Sequence, residues 1–146
     1  MMGKKYRLTD ETIQHWGMTL YRIEALRSFI GVGIGQKGGF VESEENLSHD
    51  GNCWVYGNAN VYGNAKVGGD AKVTNNRDYI VFKNWWSSGR YFTWTRSNNK
   101  WSVGCFYGTG EELIAKAYKD SELSGREYER IVRYVEDIYP SVKAIN

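Results

Sequence analysis

The sequence predicts a mainly β fold in three parts: a β-hairpin cap over residues 1–38, a short winding of strand-and-turn units over 39–76, and a small α+β module over 77–146. Three observations lead there. A six-residue unit recurs four times from Gly51, the residues before it alternate as a hairpin does, and those behind it read as three strands followed by two helices.

A chain of 146 residues is large enough to bury a core. Its 41% apolar and 15% aromatic content excludes the composition of a disordered chain. With 19 basic and 17 acidic residues the net charge is only +2, so no overall field marks a nucleic-acid binder. Cys53 and Cys105 are the only cysteines, too few for a disulfide scaffold and without metal-ligand spacing. No apolar run approaches the roughly 20 residues that span a bilayer, and no leader-like apolar segment opens the chain. A cytoplasmic protein without metal, cofactor or membrane partner is expected.

"YRLTDETIQHWGMTLYRIEALRSF" alternates as two strands turning at His15-Trp16-Gly17. "GVGIGQKGG", Gly31 to Gly39, has the glycines of a phosphate loop but no helix pattern behind it. A strand or bend with close backbone approach suits it better.

The hexads read GNCWVY, GNANVY, GNAKVG and GDAKVT. Val55, Val61, Val67 and Val73 hold one phase, and Cys53, Ala59, Ala65 and Ala71 another. A helix, with about 3.6 residues per turn, has no face that repeats every six. A strand-and-turn unit does: Val favours extended backbone, and Gly-Asn or Gly-Asp reaches the positive φ of a tight corner. "GGFVESEENLSHD" supplies two degenerate units, with Val41 and Leu47 facing in.

An aliphatic residue followed four places later by a small one, every six residues, resembles the left-handed parallel β-helix of hexapeptide-repeat proteins. "KKYRLTDE", "TLYRIEALRSF" and "GGFVESEENLSHDGNCWVYGNA" are similar to the opening of such proteins, often transferase-like, from enterobacteria and prophages. The resemblance spans roughly Lys4 to Thr74. It implies three hexads per triangular coil, hence about two coils here, with the N-terminal hairpin and the C-terminal module as caps. Self-association as a trimer or dimer is expected of it.

From Tyr79, "YIVFK", "RYFTWTR" and "WSVGCFY" read as strands separated by "NWWSSG" and "SNNK". Thr109 with Glu112, and Ser124 with Glu127, fit helix capping boxes. Leu113, Ile114, Ala117 and Tyr118 share one helix face; Tyr128, Ile131, Val132, Val135, Ile138 and Tyr139 share another, ended by Pro140. This βββαα tail, with its "GCFYGT" turn, resembles the end of short β-helical proteins from phages and integrated elements, which implies a mobile-element origin.

Between Tyr79 and Gly110 lie four cations, ten aromatic residues and no carboxylate. Cations interleaved with rings hold nucleotides and single strands by charge and stacking; the same residues lead protein interface hot spots. The candidate contacts are Lys83, Trp85, Trp86, Arg90, Trp94, Arg96 and Lys100. Strand alternation sets Phe92 and Trp94 on one face with Arg90 and Arg96, and core packing against the helices is the competing reading of these rings. Trp85 and Trp86, in a polar loop, escape it best. His49, beside Asp50, is the only residue to which an acyltransferase base could be assigned, and two coils leave no groove for an acyl carrier. Cys105 reads as a buried mid-strand residue, and Cys53 as a structural small residue.

The function expected is non-enzymatic binding by a phage or mobile-element protein that antagonises host defence. Its partner is a host defence effector protein or a nucleotide signal. The alternatives are an acyltransferase-like enzyme using His49 and a self-assembling structural protein.

Overall fold

The computed structural model describes residues 3–139, and Pro140, expected to end the last helix, lies outside them. The chain is mainly β with two C-terminal helices. Strands β1 (Tyr6–His15) and β2 (Met18–Ala25) form the expected hairpin. It turns on Trp16 and Gly17, both at positive φ, the two-residue turn that matches strand twist.

Strand β3 (Lys37–Val41) pairs antiparallel with β2 and parallel with β5 (Asn60–Val61). Strand β4 (Trp54–Val55) pairs parallel with β6 (Lys72–Val73), and Leu47 bridges to Val67, again parallel. The chain therefore meets itself along three short parallel contacts. Val41, Leu47, Val55, Val61, Val67 and Val73 are all buried between them, beside Cys53, Ala59, Ala65 and Ala71. The sheets are not the stacked faces of a regular solenoid: β3 and β5 belong to a four-stranded mixed sheet with the hairpin, β4–β6 has two strands, and the third contact is a single bridge.

The glycine opening each hexad, at 51, 57, 63 and 69, has positive φ, as the corner chemistry demands. Gly38 and Gly39 serve a different need. A Cβ on either would come within 2.5 Å of a backbone oxygen, of Val55 or of Ala59, so these glycines let β3 approach the backbone of residues 55–59 closely.

Beyond the repeat, β7 (Tyr79–Lys83), β8 (Tyr91–Thr95), β9 (Lys100–Val103) and β10 (Phe106–Gly108) form an antiparallel sheet in the order β10-β9-β8-β7. The expected third strand is a hairpin, because Gly104 at positive φ reverses the chain. Cys105 is consequently exposed in a turn rather than buried in a strand.

Helices α1 (Gly110–Asp120) and α2 (Glu122–Ile138) follow. Thr109 caps α1 through the expected box with Glu112. The cap of α2 is Ser121, whose side chain accepts from the Ser124 N–H, so Ser124 is not the cap and the helix starts earlier. Leu113, Ile114, Ala117, Tyr128, Val132 and Val135 are buried, whereas Tyr118 and Ile138 at the margins of the predicted faces are exposed. On α2 Glu129 pairs with Arg133 four residues on, and on α1 Glu112 accepts from the Thr109 N–H.

The sheet lies between two cores. Ile80, Phe82, Phe92, Trp94, Trp101 and Val103 pack on the helices. The alternate residues Tyr79 and Val81 pack on the repeat segment, where Thr93 and Thr95 are also buried. From this face three side chains bond the outer edge of the repeat. The Tyr79 hydroxyl donates to the Asn60 carbonyl at 3.0 Å, Thr93 Oγ1 accepts from the Lys66 N–H at 2.9 Å, and Ser97 Oγ from the Lys72 N–H at 2.8 Å. At the other edge β2 pairs with β3, the Tyr6 hydroxyl donates to the Leu47 carbonyl at 2.7 Å, and the buried Lys5 ammonium donates to the Cys53 carbonyl at 2.7 Å. No helix among the described residues is long and apolar enough to cross a membrane.

Gly57→Ala should cost about 1–2 kcal/mol, the penalty of left-handed backbone alone, since nothing crowds that position. Gly51→Ala should cost more, because its Cβ would also meet the Gly69 carbonyl oxygen; urea midpoints at equal slope measure both. Burial pushes the Tyr79 phenol up to about 12. A phenol that holds its proton more tightly when folded contributes fully below its ordinary value near 10 and loses that contribution as pH rises towards 12. Tyr79→Phe should therefore lose stability less steeply than the parent between those two values, which denaturation at stepped alkaline pH will read.

Candidate functional site

The seven candidate contacts do not form one patch. Lys83, Trp85, Trp86 and Arg90 lie at the β7–β8 loop, and Arg96 and Lys100 at the β8–β9 turn. The six residues of strand rise from Arg90 to Arg96 separate the groups by about 20 Å. Trp94 belongs to neither. It is 0% exposed, its indole N–H bonds Asn99 Oδ1 and its ring stacks on Tyr139, so it is core and touches no partner. Phe92 is buried likewise: the face carrying both rings meets the helices, whose apolar stripes claim the largest side chains first. At the far turn, Arg96 lies over the Tyr139 ring and 3.9 Å from Asp78, and Lys100 over the Tyr107 ring.

The β7–β8 loop is built to hold a ring outward. Asn84 Oδ1 accepts from the N–H groups of Trp86 and Ser87, and the Asn84 N–H donates to the Arg90 carbonyl, closing the loop. Trp86 is half-buried, edge-on to Tyr128 at 4.9 Å with its indole N–H on Ser124 Oγ. It is an anchor. Trp85 packs edge-on against Trp86 and remains 69% exposed, with Lys83 lying over the Tyr91 ring and Arg90 on the loop's other limb.

A cleft of about 580 Å³ lies between the repeat segment and strands β8–β10. One wall owes its shape to a local insertion: eight positions separate Leu47 from Val55 where the other aliphatic steps are six. Hence the paired residues lie 20 apart at Phe40–Asn60 and Leu47–Val67 but 18 apart at Trp54–Lys72. The corner around His49 and Asp50, within this longer step, lines the cleft with Glu44 and Glu45. The opposite wall brings Arg90, Tyr91, Ser102 and the Gly104–Tyr107 turn, and Lys66 enters from the second pass. Among the described residues, neither Lys66 nor Arg90 meets a carboxylate or a side-chain hydrogen-bond acceptor; the guanidinium lies against Gly104.

His49, the one residue to which an acyltransferase base could be assigned, is engaged at both ring nitrogens. Nδ1 accepts from the Lys5 N–H at 3.1 Å, which fixes the other proton on Nε2, 2.8 Å from Glu44 Oε1. The ring stacks on Tyr6 at 4.2 Å. The hydrogen bond from His49, with that from Lys4, holds the Glu44 carboxyl below its ordinary range. With both ring nitrogens committed, no lone pair faces the cleft for general-base work. Cys105, at the cleft rim, has no such histidine beside it in the cleft lining except this committed one. Lys66 occupies a variable hexad position, and Tyr91 the strand phase opposite Phe92 and Trp94, so neither carries a sequence signal of its own. The eight-residue step was the signal that marked the corner. No family model matches the chain, and no curated protein matches it.

Trp94→Ala should cost about 3–5 kcal/mol, as removal of a buried ring does. Trp85→Ala should cost no more than about 1 kcal/mol, since only one edge-on contact is lost. Thermal or urea unfolding followed by far-UV dichroism, which needs neither indole as reporter, distinguishes anchor from knob.

Proposed function

We propose that the chain is a non-enzymatic binding protein of a phage or other mobile element, which antagonises a host defence system by engaging an effector protein through the β7–β8 loop. The single observation behind this reading is Trp85, exposed on a loop whose backbone is fixed by Asn84 and whose base is anchored by Trp86. An indole held rigidly outward loses little conformational freedom on binding, and Trp with Arg leads the residues that dominate interface energies. Lys83 and Arg90 flank it with positive charge, which favours an acidic rim on the partner. The knob is convex, so it suits a pocket on another protein better than it would enclose a small molecule.

The repeat segment is read with it as a short left-handed β-helix of hexapeptide-repeat type. The inward aliphatic wall and the parallel contacts at 18 and 20 residues support that winding. The mobile-element origin and the cytoplasm of a host cell as workplace rest on the resemblance of the hexads and of the "GCFYGT" tail. Catalysis by acyl transfer is disfavoured by the committed His49 ring. Unlimited end-to-end stacking is disfavoured by the bonds that cover both edges of the repeat. A closed trimer or dimer remains compatible with those covered edges.

Capture from host lysate should recover a discrete effector with the parent chain and lose it at least tenfold with Lys83→Ala/Trp85→Ala, while Trp85→Phe retains most of it. Equal recovery by parent and double variant would overturn the reading, as would turnover of acyl donors that vanishes in His49→Ala.

A further inference from the structure

We infer that the cleft between the repeat segment and the β8–β10 edge binds a phosphorylated nucleotide, with Lys66 and Arg90 on the phosphates and the carboxylates of Glu45 and Asp50 on N–H donors of the base. The volume, about 580 Å³, lies within the range of small-ligand sites. Its charges are separated by origin. The cations come from the second pass and the sheet, and both lack a counter-charge among the described residues. The acids come from the first pass, where Glu44 is already held by His49 and Lys4 and the exposed Glu45 and Asp50 complete the acidic lining. Phosphate matches the first set, and Arg offers it a planar two-pronged donor. The Watson–Crick edge of guanine or adenine, which carries N–H donors, matches the second, because an ionised carboxylate is acceptor-only.

The lining also carries a ring. Tyr91 is 41% exposed and lines the cleft on the same strand phase as Thr93. A base stacked on such a ring gains about 1–3 kcal/mol. Ser102, also in the lining, adds a hydroxyl. A ligand with phosphate at one end, a flat base in the middle and N–H donors beyond satisfies all three sets together, whereas an inorganic anion satisfies one.

The inference rests on the reading of the chain as a binding protein, and the two fail separately. Calorimetric titration of the full chain with GTP, ATP and inorganic pyrophosphate is the test. At least one nucleotide should bind tenfold or more tightly than pyrophosphate. Lys66→Ala and Arg90→Ala should each weaken nucleotide about tenfold, Asp50→Ala should weaken nucleotide but not pyrophosphate, and Trp85→Ala should leave both unchanged. These side chains are exposed, so the variants should unfold with the parent's midpoint. The site is overturned by the absence of heat with either nucleotide at millimolar concentration, by pyrophosphate binding as tightly as nucleotide, or by affinities indifferent to Lys66 and Arg90. Nucleotide recovered intact by chromatography is expected. Its hydrolysis would overturn the binding-protein reading while leaving the site in place.

Discussion

The constraint on which this molecule depends is the satisfaction of two open backbone edges. Two passes of a six-residue repeat bury a narrow core and leave unpaired N–H and carbonyl groups at each edge, where an exposed strand edge invites pairing with other chains. Both edges are met by side chains and one strand rather than by further repeats. On the first, β2, Tyr6 and the ammonium of Lys5 supply the partners. On the second, Tyr79, Thr93 and Ser97 do. Side chains of the sheet behind the repeat thus occupy its second edge.

Lys5 shows how much that closure demands. Burial pushes its ammonium pKa down, and it persists there with the carbonyls of Gly51 and Cys53, the Cys53 thiol and the Phe29 ring around it. A buried cation is tolerated only when its donors are used. Here they are used on the carbonyls that an absent neighbouring strand would otherwise have taken.

The same closure decides which aromatic surface stays exposed. A sheet whose one face caps the repeat must turn its other face to the helices, and the heaviest rings go there. Little aromatic surface is then left for recognition, and what remains is at the ends of the strands. Trp85 is carried outward by the loop, and Tyr91 lines the cleft. The cleft is lined by the corner around His49 and Asp50, where the aliphatic step lengthens from six residues to eight.

The sequence by itself determined the elements. Period six required strand-and-turn units, the hexad glycines required positive φ, the Trp16-Gly17 turn and the Thr109 box set their boundaries, and the inward phase of Val55, Val61, Val67 and Val73 followed from spacing alone. These are local properties of backbone sterics and side-chain period. Only tertiary structure decided which rings of the C-terminal sheet region were covered. Trp94 and Trp85 carry the same indole within one charge-poor stretch, yet one is core and the other a knob, because helices from later in the chain cover the first and miss the second. Cys105 and His49 were reassigned for a kindred reason. A glycine turn exposed the one, and a backbone N–H more than forty residues away in sequence claimed the other. Exposure and hydrogen-bond partnership depend on what the rest of the chain brings alongside, and no short window of residues contains that.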